Sequence, residues 1–259
     1  MADFLDTLAQ SARATIDGGY YETLNETATS SVSLKKAILE ARNAPVITEI
    51  KAASPSAGII RKNLDAGNLA ESMEKGGAVG LSVLTEPKHF NGSLRSLIEA
   101  RKAVRLPILM KDIILSPVQV ETASKAGANV ALLIQALFDR GYCECSLDEM
   151  IARAHSEGLE VLLESHTADE FRSAVRTHAD LVGINNRNLA TLKVDLGVTK
   201  EIMERNRAEG KVVVSESGVN TAADLRFLSD CGATAFLIGS AVMLADNVEA
   251  KVRELVRAL

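Results

Sequence analysis

Eight short apolar runs recur along the chain, each bounded by turn residues and each followed by a stretch with helical spacing. They are Pro45 to Ile50, Val79 to Leu84, Pro107 to Met110, Val130 to Ile134, Glu160 to Leu163, Leu181 to Ile184, Lys211 to Val214 and Ala235 to Ile238. Runs of Val, Ile, Leu and Ala without strict polar alternation suit strands covered on both faces, as in a parallel sheet. Eight alternating βα units with no linker between them favour a closed (β/α)8 TIM barrel over a doubly wound sheet, which usually has fewer strands. The length of 259 residues fits, since such barrels run to about 250. We read 1–259 as a single domain, with a helical extension over 1–44 and the barrel over 45–259.

Helix punctuation agrees with this alternation. Ser116-Pro117 sets an N-cap before a proline at the first helical position, and Ser146 with Glu149, Thr167 with Glu170 and, more weakly, Thr221 with Asp224 have capping-box spacing. Gly-Ala steps beginning at Gly77, Gly127 and Gly232 lead into the second, fourth and eighth strands, where glycine suits the end of a helix. Two helical patterns, around Phe4 to Ala14 and Ser33 to Arg42, precede the first strand, so the extension is expected to cover one mouth of the barrel.

With 47% hydrophobic and 24% charged residues, the chain can bury a large core. A net charge of −5 with mixed signs offers no footprint for nucleic acid or an anionic membrane, so any anionic ligand must be held locally. No apolar stretch approaches the ~20 residues of a membrane span, and no leader pattern follows the opening Met-Ala-Asp. Cys143 and Cys145 are too close in sequence to make a good disulfide and read as part of a loop. A soluble, reduced, cytoplasmic protein is expected.

Active sites of such barrels lie at the C-terminal ends of the strands. There the sequence places Glu49 and Lys51, on one side by alternation, then Ser54-Pro55-Ser56, Lys111-Asp112, Glu164, Asn185-Asn186-Arg187, Ser215-Glu216-Ser217-Gly218 and Gly239-Ser240. Charged residues can simply mark where apolar strands meet solvent. That account weakens when two lysines, three glutamates and an asparagine converge on one rim, because ionised groups in a mouth must be paired or used by a ligand. Nor does it explain the glycines beside them. Ser217-Gly218 and Gly239-Ser240 fall where barrels hold phosphate on backbone N–H groups and a short extra helix, here Ala241 to Leu244, so a phosphorylated small molecule is the expected substrate. His89, His155, His166 and His178 lack metal-ligand spacing and read as solvated side chains, with no metal implied. Dinucleotide and Walker-type glycine motifs are absent, so no nucleotide cofactor is expected.

Five segments then become recognisable: Ile47-Thr-Glu-Ile-Lys-Ala-Ala-Ser-Pro-Ser56, Phe90-Asn-Gly92, Ile108-Leu-Met-Lys-Asp112, Gly183-Ile-Asn-Asn-Arg-Asn-Leu189 and Ser215-Glu-Ser-Gly218. In this order they resemble the signature segments of the indole-3-glycerol phosphate synthase family. The resemblance implies a cofactor-free lyase of tryptophan biosynthesis that converts 1-(2-carboxyphenylamino)-1-deoxyribulose 5-phosphate to indole-3-glycerol phosphate, carbon dioxide and water. By matching position, Lys111 is similar to the family's general acid, Glu164 to its acid/base carboxylate, and Lys51 to the second lysine, with Glu49 as its orienting partner. Asn185, Glu216 and Ser217 match residues that position the reacting hydroxyls. Ser54 and Arg187 look like anion contacts, and Ile238, Gly218, Gly239 and Ser240 belong to the substrate- and phosphate-binding set. Folding the aromatic ring onto the sugar carbonyl requires apolar walls, for which Phe90 and Leu133 are the candidates.

The chemistry of the residues is compatible with these roles. Ring closure needs a proton on a carbonyl oxygen, and dehydration needs a donor and an acceptor, which Lys and Glu at one mouth can supply. Decarboxylation after closure sends its electrons into the ring iminium. Family members usually carry an aromatic residue at the position of Ile113 and a basic one at that of Ala52, and this chain has no tryptophan, leaving Phe4 to cover the ring from the extension. A phosphoribosyl isomerase or a non-catalytic metabolite-binding barrel is the competing reading, against which the Glu-x-Lys and Leu-Met-Lys-Asp segments speak. The sequence leaves room for association with other tryptophan-pathway enzymes.

Overall fold

Each apolar run forms a strand: β1 (Val46–Ile50), β2 (Gly80–Leu84), β3 (Ile108–Lys111), β4 (Val130–Ile134), β5 (Glu160–Ser165), β6 (Leu181–Asn185), β7 (Val212–Glu216) and β8 (Ala235–Ile238). In the computed structural model, which describes residues 3–24, 30–54, 58–61, 64–189 and 191–259, all eight pair in parallel and β1 closes onto both β2 and β8, completing the expected (β/α)8 barrel. β5 and β7 run two residues past the apolar pattern, so Glu164 and Glu216 lie within strands and not in loops.

The extension contributes α1 (Phe4–Asp17) and α2 (Leu34–Leu39); the barrel adds α3 (Ala66–Gly76), α4 (Leu94–Ala103), α5 (Pro117–Ala126), α6 (Gln135–Asp139), α7 (Leu147–Ser156), α8 (Ala168–Ala174), α9 (Gly197–Arg205), α10 (Ala222–Asp230), α11 (Ser240–Met243) and α12 (Val248–Val256). Capping boxes form at Ser116, Ser146 and Thr221. At Thr167 only half of one does: its hydroxyl accepts the Glu170 N–H at 3.2 Å, while the Glu170 carboxylate turns to the His166 N–H at 2.7 Å. Gly77, Gly127 and Gly232 adopt φ of 98°, 88° and 100°, the left-handed turn that lets each helix stop and the next strand begin. Among the described residues, no helix is long and apolar enough to cross a membrane.

The extension covers both ends of the barrel, where the sequence led us to expect one. α1 lies over the C-terminal mouth, with Phe4 and Leu8 facing the cavity there. It is moored by Arg140 to Asp3 and Asp6 (2.8 and 2.7 Å) and by the Tyr142 hydroxyl donating to Asp6 at 2.9 Å. α2 closes the opposite end, where Leu34 and Ile38 join the inward-facing Val130, Leu181, Val212 and Ala235 in one apolar cluster. Glu160, the first residue of β5, anchors it: its carboxylate accepts the Leu34 and Lys35 N–H groups at 2.8 and 3.1 Å and the Ser33 hydroxyl. An anion at a helix N-terminus satisfies donors that have no partner inside the helix. Glu160→Ala should therefore lower stability by about 1–2 kcal/mol in a urea titration; an unchanged midpoint and slope would show that α2 does not depend on this cap.

Candidate active site

Alternation assigns every second strand residue to the interior, and the inward columns change character at one level. Ile47, Leu109, Leu162, Val214 and Leu237 form an apolar plug. The next inward residues on the same strands are Glu49, Lys111, Glu164, Glu216 and Gly239, which line a cavity of about 500 Å³ at the C-terminal mouth. Its rim is apolar again, with Phe4 and Leu8 from α1, Phe90, Ile113 and Leu189 from the loops.

The carboxylates at these inward positions are almost fully buried: Glu49, Glu164 and Glu216 are 4%, 2% and 1% exposed. Removal from water makes unpaired anions prohibitive, so each must have a partner. Lys111 Nζ lies 3.0 Å from Glu164 Oε2 and 3.1 Å from Glu216 Oε2, and Lys51 Nζ lies 2.6 Å from Glu49 Oε1. Asn185 Nδ2 donates to Glu164 Oε1 at 3.1 Å, and Asn185 Oδ1 accepts the Arg187 N–H at 2.9 Å.

The environment drives the two carboxylates on Lys111 apart. Burial opposes ionisation of Glu164, but the Lys111 ammonium, His166 and Asn185 outweigh it and hold the group below the usual carboxylate range. Burial, together with the neighbouring Glu164 anion, pushes Glu216 above that range despite Lys111. Lys111 itself is penalised by burial yet raised by Glu164, Glu216 and Glu49, so it remains an ammonium. A proton acceptor, a protonated carboxyl and an ammonium thus sit within hydrogen-bond reach of one another, the arrangement in which acid and base roles can be divided.

Two glycines make this crowding feasible. A Cβ at Gly183 would stand 2.3 Å from Glu216 Oε1, and one at Gly239 would stand 2.4 Å from Glu49 Oε1 and 2.9 Å from Lys51 Nζ. Gly239 thus leaves room for an ion pair as well as for any ligand. α11 begins at Ser240, as the sequence suggested for a short helix there, and Ser217 and Gly218 both have positive φ, at 67° and 89°. Asn186 keeps this turn in place. Its Nδ2 donates to the carbonyls of Glu216 and Ser217 at 2.9 and 3.2 Å, and its Oδ1 accepts from Thr199 at 2.8 Å. Asn186 stands one residue out of phase with the inward-facing Asn185, so strand alternation gives no sign of this role.

Of the residues singled out in the sequence, Glu49, Lys51, Ser54, Phe90, Lys111, Glu164, Asn185, Arg187, Glu216, Ser217, Gly218, Ile238, Gly239 and Ser240 all line this cavity. Pro55 and Ser56 lie outside the described residues. Leu133 is a correction: it faces the helical layer, and its neighbours Leu132 and Ile134 line the cavity instead. A run that is apolar on both faces does not reveal its own phase, whereas pairing of Ile134 with Glu164 does. His166 is a second correction. Its side chain is only 12% exposed, with Nε2 3.2 Å from Glu164 Oε1. Phe4 meets His89 edge to face at 5.8 Å, so an aromatic ring from the extension does reach the mouth.

Gly183→Ala should displace the Glu216 carboxylate and cost about 1–3 kcal/mol of stability, the usual range for overpacking. Adding Glu216→Asp, which withdraws the carboxylate by one methylene, should recover part of the loss in the same denaturant titration. A Gly183→Ala protein as stable as the parent would show that this contact is slack.

A family model described as indole-3-glycerol phosphate synthase matches residues 7–255. Curated relatives of that name include the one from Methanocaldococcus jannaschii, 44% identical over 227 residues that cover 86% of this chain and 82% of the relative. The one from Haloarcula marismortui is 41% identical over 244 residues, covering 93% and 88%. Among solved structures, a 3-hexulose-6-phosphate synthase aligns with a TM-score of 0.64 at 17% identity over 83% of this chain and 99% of its own. Thiamine phosphate pyrophosphorylase from Pyrococcus furiosus gives 0.60 at 16% over 87% and 97%. The two structures share the fold; with a family model along nearly its whole length and relatives above 40% identity, this chain belongs to the indole-3-glycerol phosphate synthase family.

Proposed function

We propose that this chain closes, decarboxylates and dehydrates 1-(2-carboxyphenylamino)-1-deoxyribulose 5-phosphate to give indole-3-glycerol phosphate. The observation that carries the reading is the Lys111 ammonium held between Glu164 and Glu216, with a second lysine–glutamate pair, Lys51 and Glu49, lining the same cavity. A space of about 500 Å³ with an apolar rim and a charged floor suits one aromatic ring joined to a sugar phosphate.

In the first step the ring carbon bearing the carboxylate attacks the ribulose carbonyl, and Lys111 delivers a proton to the oxygen as the carbon–carbon bond forms. Carbon dioxide then leaves, and its bonding electrons neutralise the ring iminium, so the chain need supply no further electron sink. In the last step Lys51 protonates the departing hydroxyl and Glu164 accepts a proton from the adjacent ring carbon, releasing water and giving the aromatic indole. Glu49 holds Lys51, while Asn185, Glu216 and Ser217 orient the hydroxyls. The apolar walls, with Phe90 at the rim and Leu132 and Ile134 below it, fold the two reacting halves together, which removes much of the entropic barrier. Gly218, Gly239 and Ser240 hold the phosphate on backbone N–H groups, and Arg187 and Ser54 face the substrate's anionic groups.

The test is turnover of this substrate followed by indole fluorescence. Lys111→Ala should remain folded and lose roughly a hundredfold or more in kcat; Glu164→Gln should bind substrate and lose turnover. Near-parent rates in either folded protein would overturn the assignment. Inorganic phosphate should compete with substrate, and Ser240→Ala, which keeps the backbone donors, should leave its inhibition constant within about threefold, because the lost hydroxyl is a minor part of the site. Non-competitive inhibition would remove the anion from this turn.

A further inference from the structure

His166 follows β5 directly and does not line the cavity, so it does not touch substrate. Its ring lies between two carboxylates: Nε2 is 3.2 Å from Glu164 Oε1, and Nδ1 is 3.6 Å from Glu170 Oε2. The same Glu170 oxygen accepts the His166 backbone N–H at 2.7 Å, which ties the imidazole to the first turn of α8. Asn185 Nδ2 reaches the same Glu164 oxygen as His166, at 3.1 Å, while Glu164 Oε2 is left to Lys111 at 3.0 Å. A carboxylate without such support rotates readily about its terminal torsion and exchanges its two oxygens.

We propose that His166 is a positioning residue for Glu164: as an imidazolium braced by Glu170, it fixes which carboxylate oxygen faces the reacting atoms and keeps that carboxylate ionised. The proposal rests on the reading of Glu164 as the proton acceptor. Burial works against a charged imidazole, but the carboxylates at both nitrogens outweigh it and raise the His166 pKa to about 9. The charged groups facing the ring are Glu164 from β5 and Glu170 from α8, with Lys111 of β3 and Glu216 of β7 behind Glu164. His166 is therefore charged through the neutral range and loses its proton as pH rises through about 9. Its charge also favours the folded state, a contribution that is full below the ordinary histidine pKa and is lost as pH rises from there through about 9.

The experiment compares pH profiles of kcat for the parent, His166→Phe, His166→Gln and Glu164→Gln, with NMR titration of the His166 ring. In His166→Phe the acid limb, which reports ionisation of Glu164, should move up by about one pH unit or more, with kcat down about tenfold or more and KM little changed. His166→Gln, a neutral donor, should restore much of kcat while leaving the limb displaced, and it decides the matter if the Phe variant fails to fold. The parent ring should titrate near 9, and in Glu170→Gln it should titrate about one unit or more lower. An acid limb unshifted in folded His166→Phe or His166→Gln, or a ring that titrates as an ordinary histidine, overturns the proposal. Glu164→Gln separates the two readings: if it turns over normally, the assignment of Glu164 has failed, whereas if it is inactive and the limb stays put, only the role of His166 has.

Discussion

Closing eight parallel strands on themselves leaves no free edge, so each strand residue goes either to the barrel interior or to the helical layer. That restriction organises this molecule. The interior is filled up to the level of Leu109, Leu162 and Val214, and the next inward positions have nowhere to point except the open mouth. Lys111, Glu164 and Glu216 meet because each stands one inward step above an apolar residue on its own strand. Register does the rest: Asn185 is level with Glu216, and Glu164 with Gly183, so the residue that lacks a side chain stands where the Glu216 carboxylate has to fit.

Gathering carboxylates in such a place is unfavourable by itself. The desolvation of each ion is worth several kcal/mol even after relaxation, and a well-packed apolar floor would be more stable. What makes the cluster tolerable is close pairing, with Lys111 shared by two glutamates, Lys51 on Glu49, and Asn185 and His166 on the remaining oxygen of Glu164, while Glu216 Oε1 is left without a hydrogen-bond partner. Unequal pairing also produces a chemical division. Glu164 has three partners and is held as an anion, whereas Glu216 has burial and a neighbouring anion against it and tends to keep its proton. Acid and base functions follow from that asymmetry and from no special property of the glutamate side chain.

The extension is part of the same solution. Apolar side chains need cover at the lower end and at the rim of the upper one, and one helix cannot cover two ends. α2 seals the lower end through Leu34 and Ile38, while α1 presents Phe4 and Leu8 to the upper one without filling it. Phe4, standing against His89, together with Ile113, gives this chain an apolar rim. An aromatic substrate ring would find cover there although the chain has no tryptophan.

Much of this was legible in the chain alone. The eight runs, the helix caps and the Gly-Ala steps are local signals, dictated by backbone geometry and by which side chains can be buried, and they located every barrel strand. Polar residues at strand ends marked the mouth because so many ionised groups converging on one rim must be paired or used. What the sequence could not decide was phase and partnership. Val130 to Ile134 is apolar throughout, and only pairing with β5 turns Leu132 and Ile134 inward and Leu133 outward. His166 has no apolar pattern around it, and it becomes buried because Glu164 and Glu170 meet its two nitrogens. Likewise, nothing local in Glu160 marks it as the anchor of a helix 126 residues earlier in the chain. Local propensity is written residue by residue, but burial and pKa are properties of neighbours, and those neighbours are chosen only when the barrel closes.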